Sequence, residues 1–186
     1  MIAFIDAFGI HTYTGQFKIR TKCLHCGNST HSYEPFTCIL LTPNQAECKL
    51  YDLFEDLLQK ETIEQYQCDH CKLFTTAERK TWIYTLPKRL IVVLKKYTYK
   101  TKVDYPNKSM KVRDVVSNQI QQYSCYAVIS HHGSHSKGHY SCNIKINKKW
   151  YFMDDTDIFL NEKMNFKDPD AYILIYEAIS PCTTSV

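Results

Sequence analysis

The sequence predicts an α+β fold that is mostly antiparallel β, with a zinc-ribbon-like region in its first half. Three observations predict it. The C-terminal third reads as strand-like segments in succession, Tyr123 to Ser130, Gly138 to Ile146, Lys149 to Asp155 and Ala171 to Glu177, and strands joined by short connections form antiparallel sheets. Two C-x-x-C pairs, Cys23 with Cys26 and Cys68 with Cys71, stand at the ends of strand-like stretches. Between them lies a segment with helical period. A chain of 186 residues can bury a sizeable core without disulfide staples, as one domain or a two-lobed one.

From the N-terminus, residues 15–22 alternate polar and apolar and lead directly into Cys23. A second strand is expected over FTCILL, residues 36–41, ended by the Pro43 and Asn44 turn signal. Leu50, Leu53, Phe54, Leu57 and Leu58 then fall at i, i+3, i+4, i+7 and i+8, which predicts an amphipathic helix over 46–60. Burying those side chains stabilises by roughly 7–15 kcal/mol gross, at about 1.5–3 kcal/mol each. After the second cysteine pair, AERKTWIYTL reads as a strand. Pro87 breaks it, and RLIVVLKKY follows as a β-branched run expected to be buried on both faces. Residues 98–120 read as loop with one short strand around Met110 to Val116.

Composition narrows the function classes. The net charge of +4 is modest and the lysines are spread along the chain, so neither nucleic acid nor membrane is implied as a partner. The alternating Lys and Tyr of KKYTYKTK fit a solvated strand face better than a single-strand binding platform. Asp6 interrupts the first apolar run and no basic segment precedes it, so no secretory signal is expected. The apolar run Leu90 to Leu94 is far too short to span a bilayer, and the chain reads as cytoplasmic or nuclear. In a reducing compartment, the close spacing within the two pairs among nine cysteines points to metal rather than disulfides. Two knuckles supply four thiolates, which suits structural zinc on Cys23, Cys26, Cys68 and Cys71. His25 and His70, inside the pairs, are expected to be exposed knuckle residues. Cys38, Cys48, Cys125, Cys142 and Cys182 read as small apolar fillers.

The stretch from Ala127 to Asp155 carries the chemistry. Two neighbouring antiparallel strands can bring His139 and Asp154 within hydrogen-bond reach although they are far apart along the chain. A carboxylate so placed fixes the imidazole tautomer and steadies the imidazolium, the supporting role in a nucleophile, base and orienter set. No nucleophile stands out. Cys142, three residues beyond His139 on one strand, should face the other way, and Cys125 lies within a core strand pattern.

Taken together, the two C-x-x-C pairs around a leucine-rich helix, LPKRLIVVLKKY, YSCYAVISHHG, GHY, WYFMDD and AYILIYE follow one another as in the ubiquitin-specific proteases. These are papain-like deubiquitinating cysteine proteases, and the chain resembles their fingers and palm from Gly15 to Glu177. The resemblance implies an N-terminal remnant over 1–14 and fingers with zinc knuckles and one inserted helix over 15–85. It places a palm sheet over 86–178 and a tail over 179–186. It makes His139 the catalytic base and Asp154 its orienter, with Asp155 as a polar auxiliary, and lays the mobile loop 131–138 over the ubiquitin tail. Ubiquitin or ubiquitinated proteins are the implied partners. Family members carry the nucleophilic Cys in a G-N-T-C-Y-like thumb segment well before the first zinc pair, and residues 1–22 contain no Cys. The expectation is the C-terminal part of a ubiquitin carboxyl-terminal hydrolase, inactive alone, whose thumb is either carried by a partner chain or missing from this sequence. The alternative is a catalytically dead ubiquitin-binding module or scaffold.

Overall fold

The computed structural model of the chain describes residues 12–96, 101–113, 115, 118, 120–134 and 137–179. Both cysteine pairs sit at hairpin turns. Strands β1 (Gly15–Cys23) and β2 (Ser29–Phe36) turn at the first pair, and β5 (Lys60–Gln67) and β6 (Phe74–Thr85) turn at the second. Antiparallel pairing of β1 with β6 joins the hairpins into a four-stranded sheet of order β2-β1-β6-β5. The outer strands β2 and β5 escape sequence periodicity because nearly all of their side chains are exposed, on both faces, and nothing forces a polar and apolar alternation. The run FTCILL is not one strand. Phe36 closes β2, the chain bends at Thr37 and Cys38, and Ile39–Leu41 forms β3, which pairs in parallel with a strand of the second sheet.

The helix is shorter than its periodicity suggests. α1 spans Leu50–Leu57, because Glu47–Lys49 (β4) is drawn into a parallel pair with β8 (Lys102–Asp104). At its start the Lys49 backbone N–H donates to Asp52 Oδ2 at 3.2 Å, satisfying a donor at the helix entrance with a favourable charge. At its end the chain passes almost at once into β5. Leu50, Leu53 and Phe54 are buried, whereas Leu57 and Leu58 are only half-buried.

The eight-stranded sheet has the order β13-β12-β11-β10-β14-β7-β3, with β9 on β10. Its members are β7 (Arg89–Leu94), β9 (Met110–Arg113), β10 (Ile120–Gly133), β11 (Gly138–Ile146), β12 (Lys149–Asp154), β13 (Asp157–Leu160) and β14 (Ala171–Ala178). All pairings in it are antiparallel except β3 with β7. The expectation for β7 needs correcting: Leu90, Val92 and Leu94 are fully buried, but Ile91 and Val93 are half-buried, so only one face of the strand is sealed. Around them the core collects Tyr123, Cys125 and Val128 of β10, Leu174 and Tyr176 of β14, and the apolar stripe of α1. Tyr123 donates its buried hydroxyl to the Pro87 carbonyl at 2.6 Å and so fixes the β6–β7 corner against β10. Residues 97–100, which hold the middle of the Lys and Tyr alternation, lie outside the described residues.

A register shift in β10 aims the site. Before it, Tyr123 and Cys125 face the core; after the irregularity between Cys125 and Ala127, Val128 and Ser130 do. His132 continues that second set, at the end of the strand where the core gives way to solvent.

Candidate active site and metal centre

Strand register builds the His139 site. Opposite residues across β10 and β11 are His132 with His139, Ser130 with Ser141 and Val128 with Asn143. Across β11 and β12, Asn143 faces Phe152, so Asp154, two residues on, shares the face of His139 and Ser141. A tight turn at Asp155 and Thr156, with Asp155 at φ 48°, leads to the Asp154–Asp157 pair that opens β13. The two strands bring these side chains together: His139 Nε2 is hydrogen-bonded to Asp154 Oδ1. The side chains are 49% and 38% exposed, so the pair stands at the surface.

The electrostatics follow from this contact. The hydrogen bond to Asp154, then the Asp154 charge and that of Asp155, raise His139 above the ordinary histidine range. With its Nε2–H donating to Asp154, the neutral imidazole keeps its lone pair on Nδ1, the nitrogen able to accept a proton. The charged form is stabilised where it stands. Gly138 is dictated by packing: a Cβ there would lie 1.8 Å from His131 Nε2, whose ring stacks on Tyr140 at 4.6 Å between centroids. The segment expected as a loop over 131–138 is shorter. His131 to Gly133 belong to β10, and Ser134 and Lys137 exchange backbone hydrogen bonds of 3.0 and 3.3 Å around residues 135 and 136, which lie outside the described set.

A second histidine and acid pair lies beside the first, and sequence reasoning missed it. His132 Nδ1 contacts Asp170 Oδ2 at 3.0 Å, and its Nε2 contacts Ser141 Oγ at 3.0 Å. Ser130 donates to Asp168 Oδ2 at 2.8 Å alongside. Both ring nitrogens of His132 are engaged and Ser141 is buried, so this network ties β10 and β11 to the turn before β14 and offers no open base. The signal for it was weak: His132 alternates correctly, but Asp170 comes from the turn before β14, whose position no local pattern reports.

No described cysteine adjoins His139 as a ready nucleophile. Cys125 is fully buried, and burial pushes its thiol up to about 12. Cys142 pairs with Met153 on the opposite face of β11 from His139, and burial raises it too. Cys182 lies outside the described residues.

The four cysteines of the two pairs converge. The sulfurs of Cys23, Cys26, Cys68 and Cys71 all lie within 4.8 Å of one another and could hold a metal ion. Cys26 Sγ and Cys68 Sγ are 3.7 Å apart, against about 3.8 Å for a tetrahedral ion with metal–sulfur bonds of about 2.3 Å. The two knuckles repeat one backbone device. Gly27 N–H donates to the Cys23 carbonyl at 3.0 Å and Lys72 N–H to the Cys68 carbonyl at 2.8 Å, with φ of 73° and 60° at those equivalent positions. The N–H groups of Cys71 and His70 hold the Cys68 thiol down at about 7 against its burial. Cys26 goes the other way, to about 11: the Asn28 N–H lowers it, and burial with hydrogen bonds to Cys23, Cys68 and Cys71 outweighs that. His25 and His70 are exposed and outside the group.

Comparison with known proteins matches these features to one family. The family model for ubiquitin carboxyl-terminal hydrolase covers residues 7–176. Ubiquitin carboxyl-terminal hydrolase 17-like protein E of Mus musculus is 30% identical over 185 residues, 92% of this chain and 34% of its own length. Ubiquitin carboxyl-terminal hydrolase 2 of Gallus gallus is 29% identical over 188 residues, 91% of this chain and 52% of its own. Among solved structures, the SAGA DUB module of Ubp8, Sgf11, Sus1 and Sgf73 bound to monoubiquitin gives a TM-score of 0.80 at 21% identity, over 91% of this chain and 41% of that one. The same module bound to ubiquitin aldehyde gives 0.78 at 20% identity, over 91% and 42%. This chain therefore spans between about a third and a half of the lengths of these relatives, and it belongs to the ubiquitin carboxyl-terminal hydrolase family.

Proposed function

We propose that the chain is the fingers and palm part of a thiol-dependent deubiquitinase, with His139 as general base and Asp154 as its orienter. The observation that carries this is the His139 Nε2 contact with Asp154, which leaves Nδ1 as the ring nitrogen able to accept a proton, on a side chain half exposed at the surface. In the reaction, Nδ1 accepts the proton of an attacking thiol, and the thiolate adds to the isopeptide carbonyl carbon at the ubiquitin C-terminus. The imidazolium then protonates the lysine nitrogen as the C–N bond breaks, and His139 next takes a proton from the water that releases the thioester. Asp154 steadies the imidazolium in both halves. The thiol comes from a thumb portion supplied separately, a reading supported by the absence of a suitably placed cysteine among the described residues. By itself the chain binds ubiquitin without turnover. The described cysteines also favour a second reading, a catalytically dead ubiquitin-binding module or scaffold.

We assign the fingers to 15–85 and the palm to 86–178, with β3 and α1 packing onto the palm core. Zinc on Cys23, Cys26, Cys68 and Cys71 is structural, since all four positions are taken by thiolates and none is left for a substrate. We place the protein in the cytoplasm or nucleus, the reducing compartments that suit four thiolates on a metal. No helix among the described residues is long and apolar enough to cross a membrane.

The test is ubiquitin binding by calorimetry alongside turnover of ubiquitin carrying a fluorogenic C-terminal amide, with the zinc-loaded chain and with His139→Ala. Binding without turnover is expected from both. Turnover abolished by His139→Ala would show that a cysteine of this chain attacks. Failure of the folded chain to bind ubiquitin would overturn the reading. A thumb-bearing fragment of a relative that restores turnover with the chain, and not with His139→Ala, separates the half-enzyme from the scaffold.

A further inference from the structure

We propose that the open edge formed by β13 docks a basic, extended stretch of substrate polypeptide, the segment flanking the modified lysine. This assignment of the occupant rests on the deubiquitinase reading above. Among the described residues β13 is the last strand of the eight-stranded sheet. Asn161 N–H donates to the Trp150 carbonyl at 2.9 Å, and the pairs Phe152–Phe159 and Asp154–Asp157 follow at alternate positions. Antiparallel ladders alternate, so the residues between these, Ile158 and Leu160, turn their N–H and C=O groups away from β12. Those groups form a template for one more strand.

Edges of this kind are usually blunted by lysine, proline or an inward charge. β13 carries one such charge, Asp157 at its first position, and none within Ile158, Phe159 and Leu160, which are 61%, 56% and 47% exposed. Charge selects the occupant. Residues 154–163 hold Asp154, Asp155, Asp157 and Glu162 against Lys163, four carboxylates to one ammonium, so two copies of this edge repel while a strand bearing lysines or arginines is attracted. The position fits a substrate. Asp157 and Phe159 share the sheet face of Asp154 and His139, and Asp157 is the direct partner of Asp154. A strand added beyond β13 lies about 14 Å from β11, three strand spacings of about 4.8 Å, which roughly four extended residues bridge. The paired segment thus begins about four residues from the lysine whose isopeptide nitrogen is at His139.

The probe is an acetylated eight-residue peptide alternating Lys with Val, added to the zinc-loaded chain and followed by anisotropy and by amide exchange. Controls are a peptide alternating Glu with Val and the Lys peptide N-methylated along one edge. Saturation with the Lys peptide should slow exchange at Ile158 and Leu160 at least tenfold. The Glu peptide, the N-methylated peptide and the Asp157→Lys, Glu162→Lys double variant should each weaken binding at least tenfold. No binding, equal binding of the Glu peptide, or unprotected Ile158 and Leu160 at saturation would overturn the proposal, and the peptide-side controls do so without any variant. Protection that appears with protein concentration alone, with a dimer in sedimentation, would assign the edge to a second copy instead. Ubiquitin binding measured on the same sample separates the two claims: ubiquitin without peptide sinks only the edge, and peptide without ubiquitin sinks the deubiquitinase reading and the substrate as occupant.

Discussion

Removing the metal from the four-cysteine group should unfold the four-stranded sheet and spare the eight-stranded one. Around the knuckles the buried apolar side chains are Ile19 and Ala77, beside Cys23 and Cys68 themselves. Burying an isoleucine contributes about 1.5–3 kcal/mol, whereas ordering each backbone residue costs roughly 1–2 kcal/mol. The other buried apolar side chains of this sheet, Phe36 and Ile83, pack into the main core away from the cysteines, so apolar burial cannot hold the knuckle ends of the two hairpins in place on those figures. A zinc ion joining four thiolates contributes on the order of 10 kcal/mol in small zinc domains, enough to decide the outcome. Proton competition adds a pH signature. With the Cys26 thiol at about 11 and Cys68 at about 7 without metal, binding must expel protons, so affinity rises with pH through the neutral range. The assay is amide exchange before and after a high-affinity chelator, with metal content followed by elemental analysis. Amides of β1, β2, β5 and β6 should lose protection together, and the emission of Trp82 on β6 should shift, while β7, β10 and β14 keep theirs. Cys68→Ser should do the same and Cys142→Ser should not. Unchanged exchange in β1 and β6 after verified metal loss would refute the argument.

Asp154→Asn removes the largest cause of the raised His139 value, so its NMR titration should move down towards the ordinary histidine range of about 6.5. Because the folded value is the higher one, the stability from this pair is fully present below about pH 6.5 and fades as pH rises through the folded value, a slope the variant should flatten in pH-dependent denaturation. Gly138→Ala drives a methyl into the His131 ring, and loss of the His131–Tyr140 ring-current shifts should report it. Lys72→Gly relieves a left-handed residue whose counterpart in the other knuckle is Gly27, and urea unfolding should show a gain of about 0.5–1 kcal/mol. Burial depresses Lys96 to about 8 despite Asp168 and Asp170. The unfolded chain therefore holds the extra proton between about pH 8 and 10.4, stability rises across that window, and Lys96→Met should abolish the rise.

Much of the site was legible in the sequence because its parts are local or periodic. Each C-x-x-C is a self-contained knuckle, and strand alternation suffices to put His139 and Asp154 on one face once β11 and β12 are recognised as neighbours. Leu50, Leu53 and Phe54 announced the helix in the same way. Only the tertiary structure decided the rest. The helix gave up residues 47–49 to a parallel pair with 102–104, a partner far along the chain. The exposed strands β2 and β5 have no buried face to impose a pattern. His132 found Asp170 through a turn that only β14 pairing positions. Periodicity records which face of an element meets the core, and local motifs record contacts within a few residues. Pairings between distant edges, and what those edges leave open to solvent, are set by the whole sheet.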